Sequence, residues 1–162
     1  MDTRTLAIDM GDSGTLTFAG DGGSSVMDAK DDVTPNANEE AWADVTGATA
    51  AIGGTGGNNM FHYSNSSFMD GLTVSASYTP SDGTTEVESS TDYGIKFTGV
   101  DGLTIGGGMG EDNTAAASLD LTNMYLTYTM DAFSVGYQTS ESDSETANAD
   151  KDFTAIGLSY AM

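Results

Sequence analysis

The chain has 162 residues, of which 25 are Asp or Glu and 4 are Lys or Arg, and its formal net charge is -21. This charge argues against a nucleic-acid partner, because phosphates are neutralised by basic side chains. The absence of cysteine excludes disulfide scaffolds, thiolate metal sites and cysteine nucleophiles, the single histidine excludes a histidine pair, and no apolar run approaches the roughly 18 residues of a membrane-spanning helix.

Apolar and small polar residues alternate along most of the chain, and this period of two predicts β-strands. The stretch 19–57 fits no strand, and we predict a short helical turn within it at 39–44. The predicted strands, in chain order, cover residues 5–10, 15–18, 58–64, 72–78, 91–98, 103–109, 118–130, 133–139 and 153–161.

The predicted connections alternate between short and long. The short turns are 11–14, 68–71, 100–102 and 131–132, and the long connections are 19–57, 79–90, 110–117 and 140–151. Such sorting places all short turns at one end of a meander and all long loops at the other. It is typical of a transmembrane β-barrel, which has short periplasmic turns and longer extracellular loops.

The two faces of the predicted strands differ in the way a membrane barrel requires, with apolar residues outward and polar residues inward. The polar face collects mostly small hydroxylated residues and glycines, together with His62, Lys96 and Gln138. Strand 118–130 is irregular, because Leu119 and Leu121 lie on the opposite parity from Met124 and Leu126; we predict a bulge or a rim above the membrane there.

Most acidic residues lie in the predicted connections, and the stretch 19–57 is especially rich in them. Its carboxylates could bind a hard cation such as calcium loosely, but they lack EF-hand spacing, and a solvated acidic loop is the simpler interpretation. Two short motifs resemble functional sequences. GDSG at 11–14 lacks the protease context and is interpreted as a turn, and GGMGED at 107–112 is a single copy of a calcium β-roll motif that works only in tandem.

Three segments resemble Gram-negative general porins. GDSGTLTF at 11–18 looks like the strand and turn before their long third loop, and NMFHYSN at 59–65 with FMDGLTVSASYTP at 68–80 resembles the hairpin after it. The acidic stretch with VTP at 33–35 and EEAW at 39–42 is similar to third loops of alphaproteobacterial, marine-type porins.

The resemblance implies an all-β, antiparallel up-and-down transmembrane barrel whose long third loop, here 19–57, folds inward and narrows the pore. It implies a homotrimer in the lipid of the outer membrane that passes small ions and hydrophilic solutes, with no catalysis and no cofactor. The acidic side of the constriction would be Asp28, Asp31, Asp32, Glu39, Glu40 and Asp44, opposite His62 and Lys96 on the wall. Since an arginine ladder is missing, we expect a cation-preferring pore.

Nine strands is an odd number, whereas bacterial single-chain barrels close with an even number, and porins have roughly 16. We therefore expect residues 1–162 to be one partial barrel domain, an internal fragment of a longer porin. The alternative from another class is a secreted acidic all-β surface protein, an adhesin or calcium-binding module, for which the charge and lack of cysteine are equally natural.

Overall fold

The computed structural model describes residues 4–35, 59–81, 88–114, 117–146 and 150–161. In these residues the chain forms a single nine-stranded sheet in which each strand pairs antiparallel with the next, in the order β1 to β9. The strands are β1 (Arg4–Asp9), β2 (Thr15–Asp21), β3 (Met60–Met69), β4 (Leu72–Thr79), β5 (Ser90–Val100), β6 (Leu103–Thr114), β7 (Ala117–Met130), β8 (Phe133–Ser144) and β9 (Lys151–Tyr160).

Helical structure in the described ranges is limited to two 3-10 turns, Gly11–Ser13 and Asp28–Lys30. The described part of the chain has no helix that is long and apolar enough to cross a membrane. The helical turn predicted at 39–44 falls outside the described residues. The all-β meander predicted from the alternation is confirmed, as an open sheet of nine antiparallel strands.

Several strands extend further than the alternation predicts. β6 continues to Thr114 and β7 begins at Ala117, so the long connection predicted at 110–117 is mostly paired strand. β8 likewise continues to Ser144, into the connection predicted at 140–151. These strand ends are polar and acidic, and the backbone pairing continues there after the apolar alternation has ended. The sequence pattern therefore marked the apolar band of each strand and not its full length.

Burial in this sheet is the reverse of that in a soluble protein. One face exposes large apolar side chains, with Ile156 77% and Met124 68% exposed. The opposite face contains polar side chains that are almost fully buried, with Gln138 1% and Asn123 3% exposed. We call the second face the inward face, because the polar positions predicted to line a barrel interior lie on it.

Strand β7 carries no bulge. Its register with β6 and with β8 continues without a shift along the whole of both pairings, so the bulge is wrong, while the alternative of a rim above the membrane stays a prediction. Leu119 and Leu121 lie on the inward face, where Leu121 packs with the fully buried Met27 and Leu119 and Phe153 pack against that pair. The apolar residues change face because part of the stretch 19–57 covers this end of the inward face, and that covering element requires an apolar surface.

Candidate functional site: a loop segment folded over the inward face

Residues 25–35 leave β2 and cross the inward face of the sheet; we call them the loop segment. The segment begins with one turn of 3-10 helix, in which the Lys30 N–H donates to the Met27 carbonyl at 3.0 Å and the Ala29 N–H to the Ser25 carbonyl at 3.0 Å. The Ser25 hydroxyl accepts a hydrogen bond from the Asp28 N–H at 3.1 Å. The turn directs Val26 and Met27 toward the wall, where both are buried.

Polar side chains of β4 and β5 hold the first part of the loop segment. The Val26 N–H donates to Ser77 Oγ at 2.8 Å, and the Met27 N–H donates to Asp92 Oδ2 at 3.3 Å. The Ser77 hydroxyl donates to the same Asp92 oxygen at 3.1 Å. Within the described residues the other oxygen, Asp92 Oδ1, is buried without a hydrogen-bond partner.

Two amide side chains of β7 and β8 hold the next part. Gln138 Nε2 donates to the carbonyl oxygens of Lys30 at 2.9 Å and Asp31 at 2.7 Å, while its Oε1 accepts from the Val33 N–H at 2.9 Å. Asn123 Nδ2 donates to the Lys30 carbonyl at 3.1 Å and to Ser140 Oγ at 2.7 Å. We call Asn123 and Gln138 the amide clasp. The clasp satisfies backbone groups that would otherwise lose their hydrogen bonds on burial.

Glycines on the inward face provide the space into which the loop segment fits. A Cβ atom on Gly94 would lie 2.5 Å from Val26 Cγ1, and one on Gly136 would lie 2.5 Å from Pro35 Cδ. A Cβ atom on Gly108 would lie 2.7 Å from Met27 Sδ, and one on Gly157 would collide with the Pro35 carbonyl oxygen. Four strands, β5, β6, β8 and β9, thus lack a side chain where the segment passes over them.

The predicted acidic side chains divide into two groups. Asp28, Asp31 and Asp32 lie on the loop segment and are half-buried, in contrast to the fully buried Val26 and Met27. Asp28 Oδ2 accepts from the Ser24 hydroxyl at 2.6 Å, and Asp32 Oδ1 accepts from the Thr34 hydroxyl at 3.4 Å. The remaining predicted acids lie outside the described residues: Glu39, Glu40 and Asp44.

Both predicted wall residues lie on the inward face. His62 on β3 pairs in register with Ser77, and Lys96 on β5 pairs with Thr73. His62 is half-buried and Lys96 is exposed. The loop segment lies against β4 and β5, the second of which carries Lys96. The roles of these residues in a constriction stay predictions.

Lys30 is a basic residue of this site that the sequence reasoning missed. Lys30, in the middle of the acidic run, turns toward the wall and is buried, and its Nζ donates to the Val26 carbonyl at 3.1 Å. Burial lowers the pKa of the Lys30 ammonium, and the positive charge of Lys96 lowers it further, while Asp92 acts in the opposite direction. The sequence gives little indication that Lys30 is buried, because a lysine among aspartates ordinarily belongs to a solvated loop.

Asp92, Asn123 and Gln138 were also not predicted as parts of the site. Each is a polar residue at an inward position of a strand interior, a place where small hydroxylated residues and glycines otherwise predominate. A large amide or carboxylate among them is a signal that something polar must be bound there. The described ranges contain no group of three His, Asp or Glu side chains that could hold a metal ion.

Comparisons with known proteins give the site its context. No match was found among curated proteins. The family model of the Gram-negative porin matches residues 2–162, which is nearly the whole chain. The match agrees with the antiparallel meander, the outward apolar face and the loop that crosses the inward face. The chain belongs to the Gram-negative porin family.

Proposed function

We propose that this protein is an outer-membrane porin that forms a water-filled channel for passive diffusion of small hydrophilic solutes and ions, narrowed by the loop segment and preferring cations. A Gram-negative porin is a channel protein of the outer membrane, and this much follows from the family. The narrowing element and the ion preference are proposed from this chain's own residues. The family assignment also favours a channel over the secreted adhesin or calcium-binding module that composition alone left open.

The observation that carries this proposal is the position of the loop segment. It lies across the inward face from β4 to β9, where it is held by side chains of four strands and accommodated by the glycines. In a closed barrel the inward face surrounds the lumen, so an element fastened to it reduces the bore. Selectivity then depends on the size of the remaining opening and on the charges that line it.

Cation preference is supported by the charges on and near this element. Asp28, Asp31 and Asp32 are half-buried on the segment, and the acids Glu39, Glu40 and Asp44 belong to the same connection in the sequence. Rings of carboxylates in a channel attract cations and repel anions. Against them stand few basic groups, because the whole chain has 4 Lys or Arg.

The test is the reversal potential of single channels in planar lipid bilayers with a KCl gradient. The porin should give the sign expected for K⁺ preference, and the Asp28→Asn, Asp31→Asn, Asp32→Asn triple variant should shift the potential toward zero. The matched control neutralises three exposed acids at or beside the end of β8 and the start of β9, Asp143→Asn, Asp150→Asn and Asp152→Asn, and should shift it less. Anion preference of the unmodified porin would contradict the proposal.

We also propose that the protein assembles as a homotrimer, which is supported by the general behaviour of the family. Native mass spectrometry of the porin extracted in a mild detergent should give three copies per particle. A monomer that persists across detergents and concentrations would contradict trimer formation. The reversal-potential measurement would still test the channel proposal.

A further inference from the structure

The basic residues of this chain are few, yet three of them lie on, or pack against, neighbouring strands of the inward face. Lys30 comes from the loop segment, Lys96 from β5 and His62 from β3; we call them the basic cluster. The chain has 4 Lys or Arg and one His in all, with a net charge of -21. Half of its lysines and arginines and its sole histidine therefore belong to the loop segment or to β3 and β5 of the inward face.

The placement of Lys30 follows from the absence of a side chain beneath it. A Cβ atom on Gly94 would lie 2.8 Å from Lys30 Nζ, and one on Gly108 would lie 3.4 Å from Lys30 Cδ. The lysine chain thus extends over these glycines, and its ammonium is located above Gly94 on β5. Lys96 is the next inward residue along that strand, and Ser75, the register partner of Gly94, places a hydroxyl group beside them.

His62 lies on the other side of Ser75 and Ser77, two strands from Lys96. His62 is the register partner of Ser77, whose hydroxyl accepts from the Val26 N–H, and Lys30 Nζ donates to the carbonyl of the same Val26. The basic cluster therefore extends over β3, β4 and β5, with serine hydroxyls between its members. Lys96 is exposed and His62 is half-buried, so a solute in the lumen can reach the cluster from their side.

The cations of the cluster have few anionic partners. Lys30 Nζ donates to a backbone carbonyl, that of Val26, and among the described residues neither Lys30 nor Lys96 forms an ion pair with a carboxylate. The nearby carboxylate, Asp92, is buried, and its Oδ2 already accepts from the Met27 N–H and the Ser77 hydroxyl. An ammonium group has three donors, so donors of both lysines remain for a ligand.

We propose that Lys30, Lys96 and His62 form a binding site for an oxyanion, the carboxylate or phosphate group of a permeating solute. The proposal rests on the proposed function, because it assigns a solute chemistry to one part of the same channel. Burial lowers the pKa of the Lys30 ammonium, and the like charge of Lys96 lowers it further, because like charges that are held together repel. A bound oxyanion removes the repulsion and accepts charge-assisted hydrogen bonds from both lysines.

A local anion site is compatible with overall cation preference. The loop carboxylates determine which ions concentrate in the channel, whereas the basic cluster acts at hydrogen-bond range on a group that has reached the wall. A solute that carries one oxyanion group would therefore pause at this wall.

The experiment is isothermal titration calorimetry of the detergent-solubilised porin with inorganic phosphate at low ionic strength, where screening is weak. We expect saturable binding of one phosphate per chain, and binding at least about tenfold weaker in Lys96→Gln and in Lys30→Gln, because each loses a charge-assisted hydrogen bond. The control, Lys151→Gln, removes the same charge from an exposed position at the start of β9 and should bind phosphate like the unmodified protein. A second titration with acetate tests the carboxylate as the alternative source of the oxyanion.

Two outcomes overturn the proposal: no saturable binding of phosphate or acetate, or equal weakening by Lys96→Gln and Lys151→Gln, which would indicate general screening. Should Lys30→Gln fail to fold, Lys96→Gln and His62→Gln decide the question, since both leave the loop backbone bonds in place. Calorimetry needs no conduction. A porin that binds phosphate but forms no channel refutes the proposed function alone, and a conducting porin without binding refutes the anion site alone.

Discussion

The outward and inward faces belong to the same strands, but the outward face exposes apolar side chains and the inward face buries polar ones. On the outward face, apolar side chains such as Ile156 and Leu158 are largely exposed, with no protein element over them in the described residues. On the inward face, Asp92, Asn123 and Gln138 are almost completely buried, because the loop segment covers them. In this sheet the buried side chains are therefore not the apolar ones. The polarity of each face instead fits its surroundings, which are the loop segment on the inward face and lipid on the outward face.

The difference shows which forces stabilise each side. The outward face is stable only in contact with hydrocarbon, where an apolar side chain costs nothing and a charge costs several kcal/mol. The inward face is stabilised by hydrogen bonds between wall side chains and the loop backbone, supplemented by the small apolar contact of Met27 with Leu121. A substitution should therefore have opposite consequences on the two faces of one strand.

The largest effect should come from a charge on the outward face. Ile156→Arg, at the centre of β9, should lower the free energy of unfolding in phospholipid vesicles by about 2–4 kcal/mol, because the guanidinium enters hydrocarbon. The matched variant is Ser159→Arg on the inward, exposed side of the same strand, which should cost much less. Urea titration of both variants in vesicles measures the difference. Equal costs would mean that the faces are assigned wrongly.

A smaller effect should follow from removal of Gln138, one of the two members of the amide clasp. Gln138→Leu leaves the Lys30 and Asp31 carbonyls and the Val33 N–H short of a partner, and should destabilise the closed position of the loop segment by about 1–3 kcal/mol. The position of the loop segment can be followed with a single thiol, because the chain has no cysteine of its own. In a Met27→Cys variant that thiol is buried, and it reacts only when the segment leaves the wall.

In that background Gln138→Leu should raise the rate of reaction with a water-soluble thiol reagent by roughly fivefold to 150-fold, since 1.4 kcal/mol corresponds to about a factor of ten. The control is Ser134→Ala, on the same face of the same strand but bonded to Thr129 instead of the loop. It should leave the rate unchanged. No acceleration by Gln138→Leu would show that the clasp does not hold the segment.

The smallest effect should come from filling a glycine position. Gly136→Ala places a methyl group 2.5 Å from Pro35 Cδ and should cost on the order of 1 kcal/mol, raising the same thiol reactivity about fivefold. Gly20→Ala on β2 is the matched control, because its Cβ atom would meet its nearest neighbour, the Arg4 carbonyl oxygen, at an ordinary 3.6 Å. Equal reactivity of the two variants would show that the close approach of Pro35 to Gly136 does not matter for the position of the loop segment.

Much of the sheet could be predicted because alternation is a local property. The parity of His62, Lys96 and Gln138 follows from their apolar neighbours, and the register of the sheet places all of them inward as expected. The full lengths of β6 and β8 could not be predicted, because polar residues continue the pairing there without any apolar signal. The opposite parity of Leu119 and Leu121 was predicted correctly, but a bulge was the wrong reason for it, since the sequence pattern does not show that Met27 packs at this position.

By itself the sequence determined the all-β meander, the separation of apolar and polar faces, the concentration of acids in the connections and the resemblance to porins. These features depend on residues close together in the chain. The tertiary structure alone decided that Lys30 turns to the wall, that Asp92, Asn123 and Gln138 bind the loop backbone, and that glycines accommodate it. Those contacts join residues far apart in sequence, as Lys30 and Gln138 are, and they exist only after the sheet has placed β4 to β9 beneath one segment of chain.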